Sequence, residues 1–286
     1  IARAGFTDES VHDYTDKHHK SVEITETDRH VLVATPAASY VLDKANAAIV
    51  SIKGKNGEIL ESPLALNLWR APTDNDRNVR RDWANCRYYE VFSEVREVVV
   101  ANNAVRFTGK FAPVKLEPVA TYSLVYEFFD EGVSASIEYE FAPWTTFPPR
   151  VGFATELDKK FKKVRYYGYG SNESYIDRRI SCVKDVYEDT VDNMFVRYVK
   201  PQETGSHYGT EFMEITDGKT TIRAEGNFSF SAIPYSAATL THTAHDWELP
   251  KAEFTHLSLD YFMSGIGSNS CGPWLDEKWQ APKKGK

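Results

Sequence analysis

The chain has 286 residues, 42% of them hydrophobic, enough to bury a substantial core in one large domain or two ordinary ones. Its net charge of −7 provides no field to draw a phosphate backbone, which argues against nucleic-acid binding. No apolar run reaches the roughly 18 residues that span a bilayer, and the opening Ile1-Ala-Arg-Ala-Gly-Phe6 lacks the plan of a signal peptide, so a soluble, cytoplasmic protein is expected. Ile1 in place of an initiator methionine suggests a processed product or a piece of a longer protein. The three cysteines, Cys86, Cys182 and Cys271, are sparse and show no CxxC spacing, and they read as free thiols in a reducing compartment.

Residues 1–28 are polar and weakly patterned until Val22-Glu-Ile-Thr25, so they read as a linker or the end of a preceding domain, with residues 29–286 forming one domain. From there the dominant signal is alternation. Val133, Ala135, Ile137, Tyr139 and Phe141 are apolar and the residues between them polar, the mark of a half-buried strand. Phe129-Asp-Glu-Gly132 would turn the chain back on residues 122–128, and Asn56-Gly57, Asn102-Asn103 and Asp217-Gly218 suit further hairpins. Helical periodicity is rare, and the best candidate is a short helix over 237–244 after a strand at 228–233. The expected class is all-β, two large antiparallel sheets packed face to face as a β-sandwich.

Four motifs carry most of the functional information: Leu68-Trp-Arg-Ala-Pro-Thr-Asp-Asn-Asp76, Tyr167-Gly-Tyr-Gly-Ser-Asn-Glu-Ser-Tyr-Ile-Asp-Arg178, Lys200-Pro-Gln-Glu-Thr-Gly205 and Gly265-Ile-Gly-Ser-Asn-Ser-Cys-Gly-Pro273. The second reads as a bent strand end in which Gly168 and Gly170 supply unusual backbone angles. Asp74 with Asp76, or Glu173 with Asp177, would satisfy the pair of carboxyls that glycoside hydrolysis needs about 5 to 10 Å apart. The stronger reading of these residues is turn capping and pairing with Arg178 or Arg179. The polar run from Asn75 to Arg80 suggests a surface loop able to cover a neighbouring site. The Gly265 motif lacks the Lys-Ser/Thr of a phosphate loop. It would instead hold Asn269, Ser270 and Cys271 on an exposed rim where small polar groups approach a sugar. His242, His245 and His256 with Asp246 are metal-ligand types without an assembled site, and His245 with Asp246 makes sense as a structural pair beside Trp247. Most of the 6 Trp, 16 Tyr and 16 Phe residues are expected in the core.

Taken in order, the four motifs resemble the C-terminal domain of the family 2 beta-galactosidases, found also as the small chain of two-subunit forms; the resemblance covers residues 30 to 275. It implies a large antiparallel supersandwich of the galactose mutarotase type, in an enzyme that hydrolyses terminal β-galactosides such as lactose with retention. The two catalytic glutamates of the family lie in a separate barrel domain, so the resemblance implies no catalytic residue, metal or cofactor in this chain. Its partners would be the remaining domains or large subunit, a galactoside and further copies of the parent. The loop of Asn269, Ser270 and Cys271 would form a wall of the galactose pocket. The position of Cys271 can be a stacking tryptophan in the family, so here stacking is lost or passes to a neighbour such as Trp274. Competing readings are a stand-alone carbohydrate-binding module, or a sandwich-fold epimerase or lyase using His245 or a tyrosine as acid/base.

Overall fold

The structure is a computed structural model and describes residues 21–267 and 274–286. Five short strands, β1 (Glu23–Glu26), β2 (His30–Ala34), β3 (Ser39–Asp43), β4 (Ile49–Gly54) and β5 (Gly57–Glu58), form a meander in chain order. Strand β1 lies within the stretch read above as a linker or the end of a preceding domain, and it pairs along its length with β2. After β6 (Ala65–Asn67) and a short helix, α1 (Arg80–Asn85), comes a second meander: β7 (Phe92–Ala101), β8 (Ala104–Ala112), β9 (Ala120–Phe129) and β10 (Gly132–Phe141). The last residues, β17 (Lys284–Gly285), return to its β10 edge. The third sheet combines β6 with β11 (Arg150–Asp158), β12 (Lys163–Gly170), β13 (Val183–Thr190), β14 (Ser206–Thr216), β15 (Thr221–Ile233) and β16 (Phe254–Met263), in the order β13-β12-β14-β15-β16-β11-β6.

The four hairpins fall where the turn residues predict them, and every strand pairing is antiparallel. At Gly57 and Gly218 the backbone takes φ of +115° and +90°, a region costly for any residue with a Cβ. Asp217 tightens its turn by accepting the N–H groups of Lys219 and Thr220. The alternation in β10 holds from Ile137 onward, whereas Ala135 is exposed. The reason is position in the sheet. Strand β17 covers β10 only at Tyr139 and Glu140, so the earlier half of β10 is an edge.

The all-β sandwich is present, but it is built from three sheets instead of two large ones. The first meander completes its ladder through local turns, the second does so with β17 added from the end of the chain, and side chains join the two. Val31, Val33 and Leu42 pack with Phe107, Leu124 and Phe128 in one apolar cluster. Val151 of β11 enters the same cluster and ties in the third sheet, whose own core contains Val164, Tyr166, Met213, Ile215 and Phe230. The helix expected at 237–244 is α3 (Ala237–His242), following α2 (Val191–Met194). Ser236 caps its start through the Thr239 N–H, and the Lys200 ammonium donates to the carbonyls of Leu240, Thr241 and Thr243 at its end.

A candidate functional site built on a buried charge lattice

Alternation in β15 and β16 places Ser229, Ser231, Ser258 and Asp260 on one face, opposite the apolar core, where solvent would be expected. Ser229, Ser231 and Asp260 are buried instead. The segments 68–77 and 195–205 are joined to each other, the Glu203 N–H donating to Ala71 O and the Asp74 N–H to Gln202 Oε1, and they meet this face where Arg150 lies between Glu203 and Asp260. Those segments carry the motifs singled out above. The fold therefore gathers them at one end of the seven-stranded sheet.

Arg70 is fully buried and bridges two of them. Its Nη1 and Nη2 donate to Asp76 at 2.7 and 3.0 Å, and Nη2 reaches Gly265 O at 3.2 Å. The guanidinium also stands 4.9 Å from the ring centre of Trp83. Burial alone would lower the Arg70 pKa, but the Asp76 carboxylate reverses this and raises it. Asp76 closes its own turn by accepting the N–H and hydroxyl of Thr73.

Glu173 is a second hub. Arg178 Nη1 at 2.8 Å, the Gly205 N–H at 2.9 Å, the hydroxyls of Tyr175 and Thr204 at 3.2 Å and that of Tyr198 all donate to it. Five donors occupy the lone pairs that a nucleophile or proton carrier would need free. Burial, then the adjacent Glu173 carboxylate, pushes the Tyr175 phenol well above its ordinary range. Asp177 pairs with no arginine among the described residues; its two oxygens accept the N–H groups of Ile266 and Gly267 at 3.1 and 2.9 Å. Arg179 lies over the rings of Tyr169 and Tyr208.

Arg150 and Asp260, which sequence reasoning passed over, complete the lattice. Arg150 Nη2 lies 3.4 Å from Glu203 and 3.1 Å from Asp260, all three side chains being buried. The Asp260 contact has ion-pair distance but not hydrogen-bond alignment, and neither Asp260 oxygen accepts a hydrogen bond from the described residues. One guanidinium thus faces two carboxylates. Burial raises the Asp260 pKa to about 7 despite Arg150, and it raises that of Glu203 as well. The available signal was a charged residue within the apolar run 257–263 and an arginine straight after Pro148-Pro149.

Asn269, Ser270 and Cys271 lie outside the described residues. The backbone leading to them, 264–267, is held by the lattice, and beyond them Trp274 is 52% exposed. The carboxyl pairs considered above are not brought together as reacting groups: Asp76 serves Arg70, Glu173 its five donors and Asp177 the backbone. Residues 74–85 form a 3-10 turn and α1 in place of a free loop, because Val79 and Trp83 are buried and Asn75 donates to Gly267 O. Gly168 and Gly170 are needed for space and not for unusual angles. A Cβ on Gly168 would stand 2.7 Å from Thr210 Oγ1, and one on Gly170 would strike the Tyr166 hydroxyl and lie 2.8 Å from the Tyr187 ring. His245 stacks on Trp247 and meets Glu248, while Asp246 pairs with Arg197, so the expected His245–Asp246 pair does not form. Among the described residues no group of three His, Cys, Asp or Glu side chains is placed to hold a metal ion. No helix among them is long and apolar enough to cross a membrane.

Comparison with known proteins matches this arrangement to one family. The family described as Beta galactosidase small chain matches residues 34–286. The beta-galactosidase of Actinobacillus pleuropneumoniae is 36% identical over 264 residues, covering 90% of this chain and 26% of that protein. That of Staphylococcus xylosus is 34% identical over 265 residues, with 90% and 27% covered. That of Kluyveromyces lactis is 28% identical over 285 residues, with 93% and 27% covered. The chain spans about a quarter of the length of these relatives. It belongs to the beta-galactosidase small chain family.

Proposed function

We propose that this chain completes the galactose pocket of a retaining beta-galactosidase and has no hydrolytic activity alone. The observation that carries the reading is the state of its carboxylates. Asp76, Glu173 and Asp177 are committed to hydrogen bonds, and Glu203 and Asp260 are buried beside Arg150. Three are occupied by donors and the two that share Arg150 are buried, so none of the five is presented to a substrate as the double displacement requires. The relatives, named beta-galactosidases, extend over about four times the matched length, which leaves room for a separate catalytic domain. The substrates are terminal β-galactosides, the site of action is cytoplasmic, and the parent enzyme is a homo-oligomer. In this reading the chain supplies a pocket wall through Asn269, Ser270 and Cys271, holding the sugar and excluding water while the catalytic glutamates act from the other domain. Cysteine offers no ring for stacking, and the exposed indole of Trp274 is the aromatic surface beside that wall.

The test is hydrolysis of a chromogenic β-galactoside by the purified chain at high concentration, then by the chain mixed with the remaining three quarters of its parent. The expected result is no turnover alone and restored turnover in the mixture, with an altered KM for Cys271→Ala. Robust turnover by the purified chain, after contamination is excluded, overturns the proposal.

A further inference from the structure

The three residues Gly265 to Gly267 leave the seven-stranded sheet with all six of their backbone polar groups engaged, each by a distant part of the chain. The Gly265 N–H donates to Trp279 O at 2.9 Å and Gly265 O accepts from Arg70 at 3.2 Å. The Ile266 N–H donates to Asp177 Oδ1 at 3.1 Å and Ile266 O accepts from the Thr73 hydroxyl at 3.3 Å. The Gly267 N–H donates to Asp177 Oδ2 at 2.9 Å and Gly267 O accepts from Asn75 Nδ2. No neighbouring strand supplies these bonds; side chains supply five of the six, which fixes the register residue by residue. The segment's own sequence is shaped for this: a Cβ on Gly265 would stand 2.6 Å from the Asp177 carboxylate, and one on Gly267, at φ +79°, would stand 2.9 Å from Asn75 Cβ. The Ile266 side chain is buried with Tyr175 and Met263, which holds the segment from its other side.

We infer that Asp177 is a positioning residue for the sugar-binding wall, with Asn75 in support: it sets where the backbone stands as it enters the stretch containing Asn269, Ser270 and Cys271. This deepens the function proposed above and rests on it. A carboxylate spanning two successive N–H groups is suited to the task, because a shift of one residue breaks both charge-assisted bonds at once. The Asn75 amide holds the carbonyl of the same Gly267, so the last residue before that stretch is gripped on both sides. Asp177 touches neither substrate nor reacting atoms in this scheme. Its effect passes through the backbone to substrate binding, which appears in KM more than in kcat.

The experiment uses the full-length enzyme containing this chain, with a chromogenic β-galactoside. Asp177→Ala is expected to raise KM about tenfold and to change kcat less than about twofold. Asp177→Asn, which keeps the shape but turns an amide donor toward one N–H, covers the case in which the alanine variant does not assemble. Leu42→Ala in the first meander is the reference for general loss of stability, and its KM is expected to stay at the wild-type value. A third enzyme has Asn269, Ser270 and Cys271 replaced by glycine. Adding Asp177→Ala to it is expected to raise KM no further, since both changes act through one element. If the glycine replacement leaves KM unchanged, the reading of the wall fails. If it raises KM while Asp177→Ala and Asp177→Asn do not, the wall stands and the positioning role of Asp177 is overturned. If Leu42→Ala raises KM equally, the effect is one of stability and the positioning role is again overturned.

Discussion

Asp260→Asn isolates the charge imbalance at the centre of the lattice. In the folded chain the Asp260 carboxyl titrates at about 7 against an ordinary 3.8, because burial outweighs the attraction of Arg150. Between those values the folded state holds a proton that the unfolded state has lost, so this group's contribution to stability falls as pH rises through the interval. Each pH unit is worth about 1.4 kcal/mol, giving about 4 kcal/mol over the whole interval and about 2–3 kcal/mol between pH 5 and pH 8. The total stability curve would hide this. His207 and His256, lowered by burial to about 4, contribute with the opposite sign from pH 6.5 downward. The difference between wild type and Asp260→Asn removes the histidines, since both chains contain them, and any constant penalty for the amide. Guanidinium unfolding of both chains at pH 5, 6.5 and 8 should show the variant gaining about 2–3 kcal/mol relative to wild type across the range. Parallel curves, with a constant difference, would refute the assignment of a retained proton to Asp260.

Other substitutions test the packing around the lattice. Gly170→Ala forces a methyl against Tyr166 and Tyr187 and should cost about 1–3 kcal/mol by denaturant titration. Gly132→Ala has no atom within 4 Å of its new Cβ and should stay within about 0.5 kcal/mol of wild type. Arg70→Met strands the buried Asp76 and should cost about 3–5 kcal/mol, while Arg70→Met with Asp76→Leu should recover part of that loss in a double-mutant cycle. Trp83→Ala empties a fully buried site, leaves Phe147 O without its indole donor, and should cost about 3–5 kcal/mol by the same titration.

The strands and hairpins were legible in the sequence because their signals are local. Asp217-Gly218 and Asn56-Gly57 dictate their turns within a few residues, and alternation from Ile137 to Phe141 reads directly as burial. The number of sheets was not legible, since nothing local says whether two meanders share a ladder or meet only through side chains. The lattice was half legible. Its motifs announced Arg70, Glu173, Asp177 and Glu203, but their partners are set by topology: Arg70 meets Gly265 across 195 positions and Asp177 meets Gly267 across 90. Arg150 and Asp260 escaped notice because alternation alone would turn the Asp260 face to water, and only segments distant in sequence bury it.

The bonds at the base of the final excursion suggest how this architecture can vary. The Gly265 N–H reaches Trp279 O, and the Ala281 N–H reaches the Ser264 hydroxyl, so residues before and after positions 268–273 are tied to each other. Lys283 then secures the outgoing chain to the carbonyls of Pro143 and Thr145, and β17 pairs with β10. Changes between the ties leave both anchors in place, and doubling the length of a closed loop costs only about 0.6 kcal/mol. The stretch 268–273 can thus be exchanged as a cassette, changed in composition or length without renegotiating the three-sheet core.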